Sequence, residues 1–566
     1  MNQSDSTIYD AIVVGSGITG GWAAKELTEK GLKVLMLERG EDIPHRTGYK
    51  HEMTPPWEMP FRGEGDQAYW EKHYPIQQHS GHLTEWTEDY WVDDSEQSYE
   101  TAQEPGFRWL RGYHLGGRSL MWGRQCYRWS DYDFESNARD GHGTDWPIRY
   151  KDIAGWYDYV ESFVGISGAK ENLPQLPDGQ FQPPMALNAV EQHMREEILK
   201  TYPERCLTIG RTANLTEGKP EEGRVNCQYR NICSRGCSFG AYFSTQSSTL
   251  PAAQKTGNLT LRTDSVVETV IYDNKAKRIT GVTVIDRKTR EKLTYNGKMV
   301  FLCAGAFNSV ALMLRSTSEA FPDGLANSSG TLGKYIMDHA GTLGVASIIP
   351  GYDEHYYHGS RPTGVVIPRF VNLEENDKPY LRGFSYQGGA YRSGWTRGMR
   401  QAGVGESFKD ELQAPGPWKF VLTTFAECLP QETNRITLSD TKTDADGLPQ
   451  LRIDFAFSDN EYKLLAAAKE EAAKMVEAAG GKVLFGSDKP NPGGSAIHEM
   501  GGARMGKDPK TSVLNGYNQA HDIPNLFVTD GAAMASSACQ NPSLTYMALT
   551  ARAVDYAVKA LQAGTI

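Results

Sequence analysis

Cysteine is scarce in this chain: eight residues in 566, too few for a disulfide scaffold. No run reaches the ~20 apolar residues of a membrane-spanning helix. Val300 to Leu314 comes nearest, and Asn308 and Ser309 break it. The opening MNQSDSTIYD has neither the basic nor the apolar region of a secretory signal. Positive charge is also short. A net charge of −11 and a pI near 5.7 speak against a nucleic-acid partner. Internal repeats and low-complexity segments are absent. What is present is ordinary for a globular protein: 39% hydrophobic and 23% charged residues, with length for roughly two to four domains' worth of core.

The most organised stretch is the first. Ala11 to Val14 is a short apolar run suited to a buried parallel strand. Gly15, Gly17 and Gly20 follow as G-x-G-x-x-G, then a helical segment over Trp22 to Lys30 and a second strand over Val34 to Leu37. Glu38 ends that strand. This is a dinucleotide-binding fingerprint in its βαβ context. Gly15 makes the tight turn, Gly17 lets a pyrophosphate approach the helix N-terminus, and Glu38 can accept from ribose hydroxyls. The fingerprint alone leaves NAD and FAD both open.

The far end narrows the choice. A strand over Leu526 to Thr529 ends in Asp530-Gly531, and a long helix follows Asn541-Pro542. That pairing resembles the FAD fold of glutathione-reductase-like proteins, in which Asp530 would meet the ribityl or pyrophosphate region. FLCAGAFNSVALML (301–314) reads as a strand, a turn at Ala304, and a helix of the same sheet.

One loop is rich in what the rest lacks. VNCQYRNICSRGCSFG places Cys227, Cys233 and Cys237 within eleven positions. Zinc sites prefer closer pairs and four ligands, and a disulfide would leave one thiol over. Several thiolates in one loop suit an iron–sulfur cluster. Three buried thiols with no ligand are the alternative.

Five ordered marks, GSGITGG, LGGRSLMWG, AGAFNS, HEMGGARMG and TDGAAMASSACQNPSLTYMAL, make the chain resemble the glucose–methanol–choline (GMC) oxidoreductase family. The resemblance covers nearly the full length. It implies a mixed fold: a discontinuous Rossmann-like α/β FAD-binding domain and a substrate domain on an antiparallel β-sheet. The expected FAD domain is 1–48, 105–130, 205–341 and 490–566, including the cysteine loop 225–240. The expected substrate domain is 342–489, with strands such as GVVIPRFV and NRITLSD and an amphipathic helix over 461–480. Segments 49–104 and 131–204 cover and connect.

The resemblance also implies roles. His498 would take the hydroxyl proton, and Asn541 would hold the substrate oxygen. His339 would serve structure or line the cavity. Gly116, Gly117, Ser119, Val267, Ala304, Asp530 and Gly531 join the fingerprint residues at the cofactor. Met121 stands where some relatives carry a flavin-linked histidine, so FAD should be non-covalent, with His114 the one nearby histidine. Certain bacterial sugar dehydrogenases carry the same cysteine spacing around a three-iron, four-sulfur cluster, with Pro where this chain has Ser238.

The expected activity is oxidation of a secondary hydroxyl of a pyranose or glycoside, at C3 as in glucoside 3-dehydrogenases, with Gln387 touching the sugar. Electrons would leave through the cluster to a cytochrome-type acceptor. A small signal-bearing subunit would carry the chain to the periplasm; a cytoplasmic address is the alternative. An oxygen-using sugar oxidase with an inert cysteine loop, and a non-catalytic electron-relay flavoprotein, are the other two readings.

Overall fold

A computed structural model describes residues 3–356, 360–374 and 378–566. Its first sheet grows from the fingerprint. Strand β1 (Gln3–Val14) runs parallel to β2 (Val34–Leu37), with Ala11 opposite Val34. On its other side β1 pairs in parallel with Lys292–Leu302, Val14 facing Leu302. The sheet continues to Leu259–Arg262 beyond β2 and to the antiparallel strands Arg278–Asp286 and Ser265–Asp273. Leu526–Val528 adds in parallel beside Val300–Leu302, which brings the C-terminal end of the chain against its start. All four residues of β2 are buried, as a strand covered on both faces requires.

Helix α1 (Ile18–Glu29) starts four residues earlier than the expected helical stretch, because its glycines sit in the first turn. It is buried almost all round, between the sheet and helix Ser543–Gln562. Trp22 and Leu27 are fully enclosed there, so Leu27→Ala should cost about 2–5 kcal/mol of stability.

The second sheet has six strands, all antiparallel: Lys482–Phe485, Ala340–Ile348, Trp418–Ala426, Phe384–Arg392, Val365–Ile367 and Thr208–Ile209. Helix Asp459–Ala478 lays Leu464, Leu465, Ala468 and Met475 against it. Two placements differ from expectation. The strand containing NRITLSD (Arg435–Thr443) pairs with Pro449–Asp454, which in turn pairs with Glu100–Thr101, in a separate three-stranded sheet. Its Ile436 packs into the core around the first sheet, because alternation marks a half-buried strand without saying which core it faces. Thr208–Ile209, expected beside the cofactor, closes the edge of the six-stranded sheet instead. Among the described residues no helix is long and apolar enough to cross a membrane.

Candidate active site

A cavity of about 410 Å³ runs from the fingerprint to the six-stranded sheet. At the fingerprint end β1 stops at Val14, and Gly15 turns the chain with φ +92°. A side chain there would meet the carbonyl oxygen of Cys303 at 2.6 Å. A Cβ on Gly17 would meet nothing within 4 Å, so that face of the loop is open to the cavity. No side chain caps the N-terminus of α1, which leaves its first N–H groups for a ligand. Glu38 is buried beside this loop and accepts from Ser16 Oγ at 2.5 Å and from Ser16 N and Gly40 N at 3.1 and 2.8 Å. Burial holds its carboxyl above the usual range despite these donors. Val267, Ala304, Asp530 and Gly531 also line this end. Burial raises Asp530 to about 6, and its carboxylate accepts from Ser309 Oγ at 2.5 Å. An open glycine, an uncapped helix start and a buried acid fit a dinucleotide.

Two residues expected at the cofactor do not line the cavity. Gly20 lies in α1, where a Cβ would sit 2.0 Å from the carbonyl oxygen of Gly15; its task is close packing of helix on strand. Gly116, with φ +81°, faces Gln246, whose Oε1 would be 2.2 Å from a Cβ. Gly117, Ser119 and Met121 do line the cavity. His114 does not; it is buried, its Nδ1 is 2.9 Å from the Leu115 carbonyl oxygen, and burial lowers it to about 4.

At the other end the structure brings together residues from three distant segments. His498 Nε2 is 3.1 Å from Asn541 Nδ2, and Gln387 Nε2 donates to Asn541 Oδ1 at 2.6 Å. Behind His498 stands His339, buried and off the cavity, with the two Nδ1 atoms 2.9 Å apart. His339 Nε2 lies 2.5 Å from the carbonyl oxygen of Ala538. A carbonyl only accepts, so His339 Nε2 carries hydrogen. Burial lowers His339 to about 4, so the ring is neutral and its Nδ1 is bare. It must then accept from His498 Nδ1–H. Burial, with His339 and Arg118 beside it, also pushes His498 well below its ordinary value. A neutral His498 protonated on Nδ1 has its lone pair on Nε2, facing the cavity. The hydrogen bonds thus point one way, Gln387 to Asn541 to His498 to His339 to Ala538. An imidazole held like this can accept a proton from a ligand hydroxyl.

Three supporting groups carry no signal in the local sequence. Arg118 grips Glu499 with two hydrogen bonds, Nη1 to Oε1 at 3.0 Å and Nη2 to Oε2 at 2.6 Å. Asp338 accepts from the backbone N–H groups of Gly494, Ala496 and His498, and so fixes the turn that presents the imidazole. Burial, then Glu499, raises Asp338 to about 7. Arg124 joins the cavity wall beside Trp122.

The cysteine loop lies on a different flank. Cys227 is buried, Cys233 and Cys237 are half-buried, and all eight cysteines are free. Tyr90 donates to the Arg235 carbonyl at 3.1 Å, and Tyr242 donates to the carbonyl of Leu120, in the loop under the cavity, at 2.6 Å. Cys227 Sγ accepts from Tyr229 N at 3.5 Å and Cys237 Sγ from Arg230 at 3.8 Å. Among the described residues no three His, Cys, Asp or Glu side chains converge so as to hold a metal ion. The loop therefore gathers three thiols without arranging them as a metal site.

Fold and cavity define a dinucleotide-binding site, and the family the chain matches makes it a flavin-dependent oxidoreductase. Two models of the GMC oxidoreductase family match residues 9–340 and 430–550, and the chain belongs to that family: an FAD-dependent enzyme acting on CH–OH groups. It is 28% identical to 2-methyl-1,2-propanediol dehydrogenase of Mycolicibacterium austroafricanum, over 97% of this chain and 94% of the relative. It is 24% identical to the fructose dehydrogenase large subunit of Gluconobacter japonicus, over 99% of this chain and all of that one. The crystal structure of pyridoxine 4-oxidase from Mesorbium loti superposes with a TM-score of 0.60 at 17% identity, covering 97% of this chain and 99% of that one.

Proposed function

We propose that this enzyme is a dehydrogenase that oxidises a secondary hydroxyl of a pyranose or glycoside, at C3, to a ketone. The observation that carries the reading is the one-way row Gln387–Asn541–His498–His339, which leaves His498 Nε2 without hydrogen, accepting from Asn541 Nδ2 on the cavity wall. A sugar hydroxyl entering between the two residues replaces their direct hydrogen bond, donating to His498 Nε2 and accepting from Asn541 Nδ2. As His498 takes the proton, the oxygen's electron pair forms the carbonyl and the carbon gives up hydride. FAD, when bound, supplies the acceptor for that hydride. Gln387 holds the Asn541 amide in the orientation that donates toward the substrate. Trp122, Gln125 and Phe425 at this end offer the mixed aromatic and amide surface that suits a sugar. The fructose dehydrogenase relative supports a sugar; the propanediol relative shows that the substrate class varies among similar chains. The test is anaerobic addition of a panel of glycosides and polyols: glycosides should bleach the flavin and yield a 3-keto product by NMR. Bleaching by small diols alone would refute the sugar assignment.

The cysteine loop supports a second element of the reading, an iron–sulfur cluster of three irons as exit toward a cytochrome-type acceptor. Arg46, Arg224, Arg230 and Arg235 surround the loop, against the carboxylates of Glu52 and Glu222. That positive surplus, with N–H groups directed at two sulfurs, suits an anionic cluster. The chain would work beside a small subunit. Iron and acid-labile sulfide in anaerobically purified protein test this; iron-free protein that still passes electrons to its natural acceptor would end it. Rapid oxygen consumption during turnover would favour an oxidase.

A further inference from the structure

The cavity wall at the substrate end holds two arginines in opposite circumstances. Arg118 is neutralised by its bidentate partner Glu499. Arg124 has no such partner. It is 8% exposed, and its Nη1 donates to the Trp122 carbonyl at 2.6 Å. Its guanidinium lies over the Tyr242 ring, 5.4 Å from the centroid. Its Nε is buried with no hydrogen-bond partner. Among the described residues no Asp or Glu comes within ion-pair distance of it. The titratable groups that feel its charge are His82, Tyr242 and Cys227. A buried guanidinium without an anion is costly, because water is lost and nothing replaces it. Such a charge is retained where a ligand supplies the missing partner, and carboxylates match the planar donor fork.

We propose that Arg124 recognises an anionic group of the substrate, so that the preferred sugar or glycoside carries a carboxylate. This rests on the reading of the cavity as a sugar-oxidising site. The chain is already strongly acidic overall, so a local cation that attracts a carboxylate must be built in rather than inherited from net charge.

The experiment uses the purified holoenzyme and two matched pairs, methyl glucuronide with methyl glucoside and methyl galacturonide with methyl galactoside. The members of each pair differ in the carboxylate. Anaerobic flavin reduction should show, for at least one pair, a KM about tenfold or more lower for the acid. In Arg124→Met that KM ratio should collapse toward one, and Arg124→Lys should retain part of it. Equal KM values in the wild type, or an unchanged ratio in Arg124→Met, would overturn the inference while leaving the sugar reading intact. Bleaching by no sugar at all would instead overturn the sugar reading. Loss of iron in Arg124→Met with the ratio preserved would show that the cation serves the cysteine loop. If Arg124→Met does not retain flavin, malonate against methyl glucoside in the wild type decides: competitive inhibition that weakens in Arg124→Lys supports the inference, and no inhibition overturns it.

Discussion

The histidine wall and the cysteine loop both gather reactive side chains, and they do so in opposite ways. The wall draws Gln387, Asn541, His498 and His339 from segments far apart in sequence, yet each hydrogen bond has one donor, one acceptor and one direction. The loop draws its thiols from eleven adjacent positions, yet two of the sulfurs hold only single N–H contacts at 3.5 and 3.8 Å. The wall's polar groups satisfy one another; among the described residues the thiols do not converge on one point. Closeness in sequence brings groups into one neighbourhood, and only packing from outside fixes their geometry.

If the wall does the chemistry and the loop does not, substitutions should separate cleanly. The largest effect belongs to His498→Ala. Flavin reduction by sugar should fall by ~10²–10⁴ while FAD stays bound. Near-normal stopped-flow rates in that variant would move the base elsewhere. His339→Leu should come next. Without an acceptor at its back, His498 loses the preference for hydrogen on Nδ1, and reduction should slow by about 10–100-fold with KM little altered. His339→Gln, which can still accept from Nδ1–H, should recover much of that loss; no recovery would reduce His339 to a packing residue.

A smaller effect is expected at Asn541. Asn541→Ala removes one hydrogen bond to the reacting oxygen, worth about 1 kcal/mol or several-fold in rate. Gln387→Ala should cost less alone and almost nothing once Asn541 is gone, and a double-mutant cycle reads that coupling. Acidity sharpens the same contrast. His498 sits well below its ordinary value because burial disfavours the charged ring. A base with a depressed value is protonated only at still lower pH, so the rate of flavin reduction should stay level from pH 8 down past 6.5. A break at or above 6.5 would contradict the buried, neutral imidazole. The smallest effect on sugar oxidation should come from Cys233→Ser. Flavin reduction should be unchanged, and only transfer to a protein acceptor should suffer. Slowed reduction by sugar would mean that the loop reaches the cavity.

Much of the cofactor end was legible because its signals are local. Glycine spacing, a flanking strand and a terminal acid lie within thirty residues, and the structure puts Gly15, Gly17 and Glu38 on the cavity. His498 and Asn541 were legible through the motifs around them. What joins them was not. The His339–His498 contact spans 159 positions and Arg118–Glu499 spans 381, and no periodicity encodes such pairs. The contact of Gly116 with Gln246 was not legible, because a glycine in a loop signals conformational freedom without saying which neighbour demands it. The strand at 435–443 was misplaced for a related reason, since a two-residue repeat fixes a face and not a partner.

The central claim is that this wall, with FAD in the adjoining cavity, turns a sugar alcohol into a carbonyl. Its most direct test is an anaerobic titration of the purified enzyme with glycosides, following the visible flavin band and the product by NMR. Stoichiometric bleaching is expected, with one new ring ketone per flavin reduced. A flavin that stays oxidised in the presence of every sugar, glycoside and sugar acid tried would contradict it.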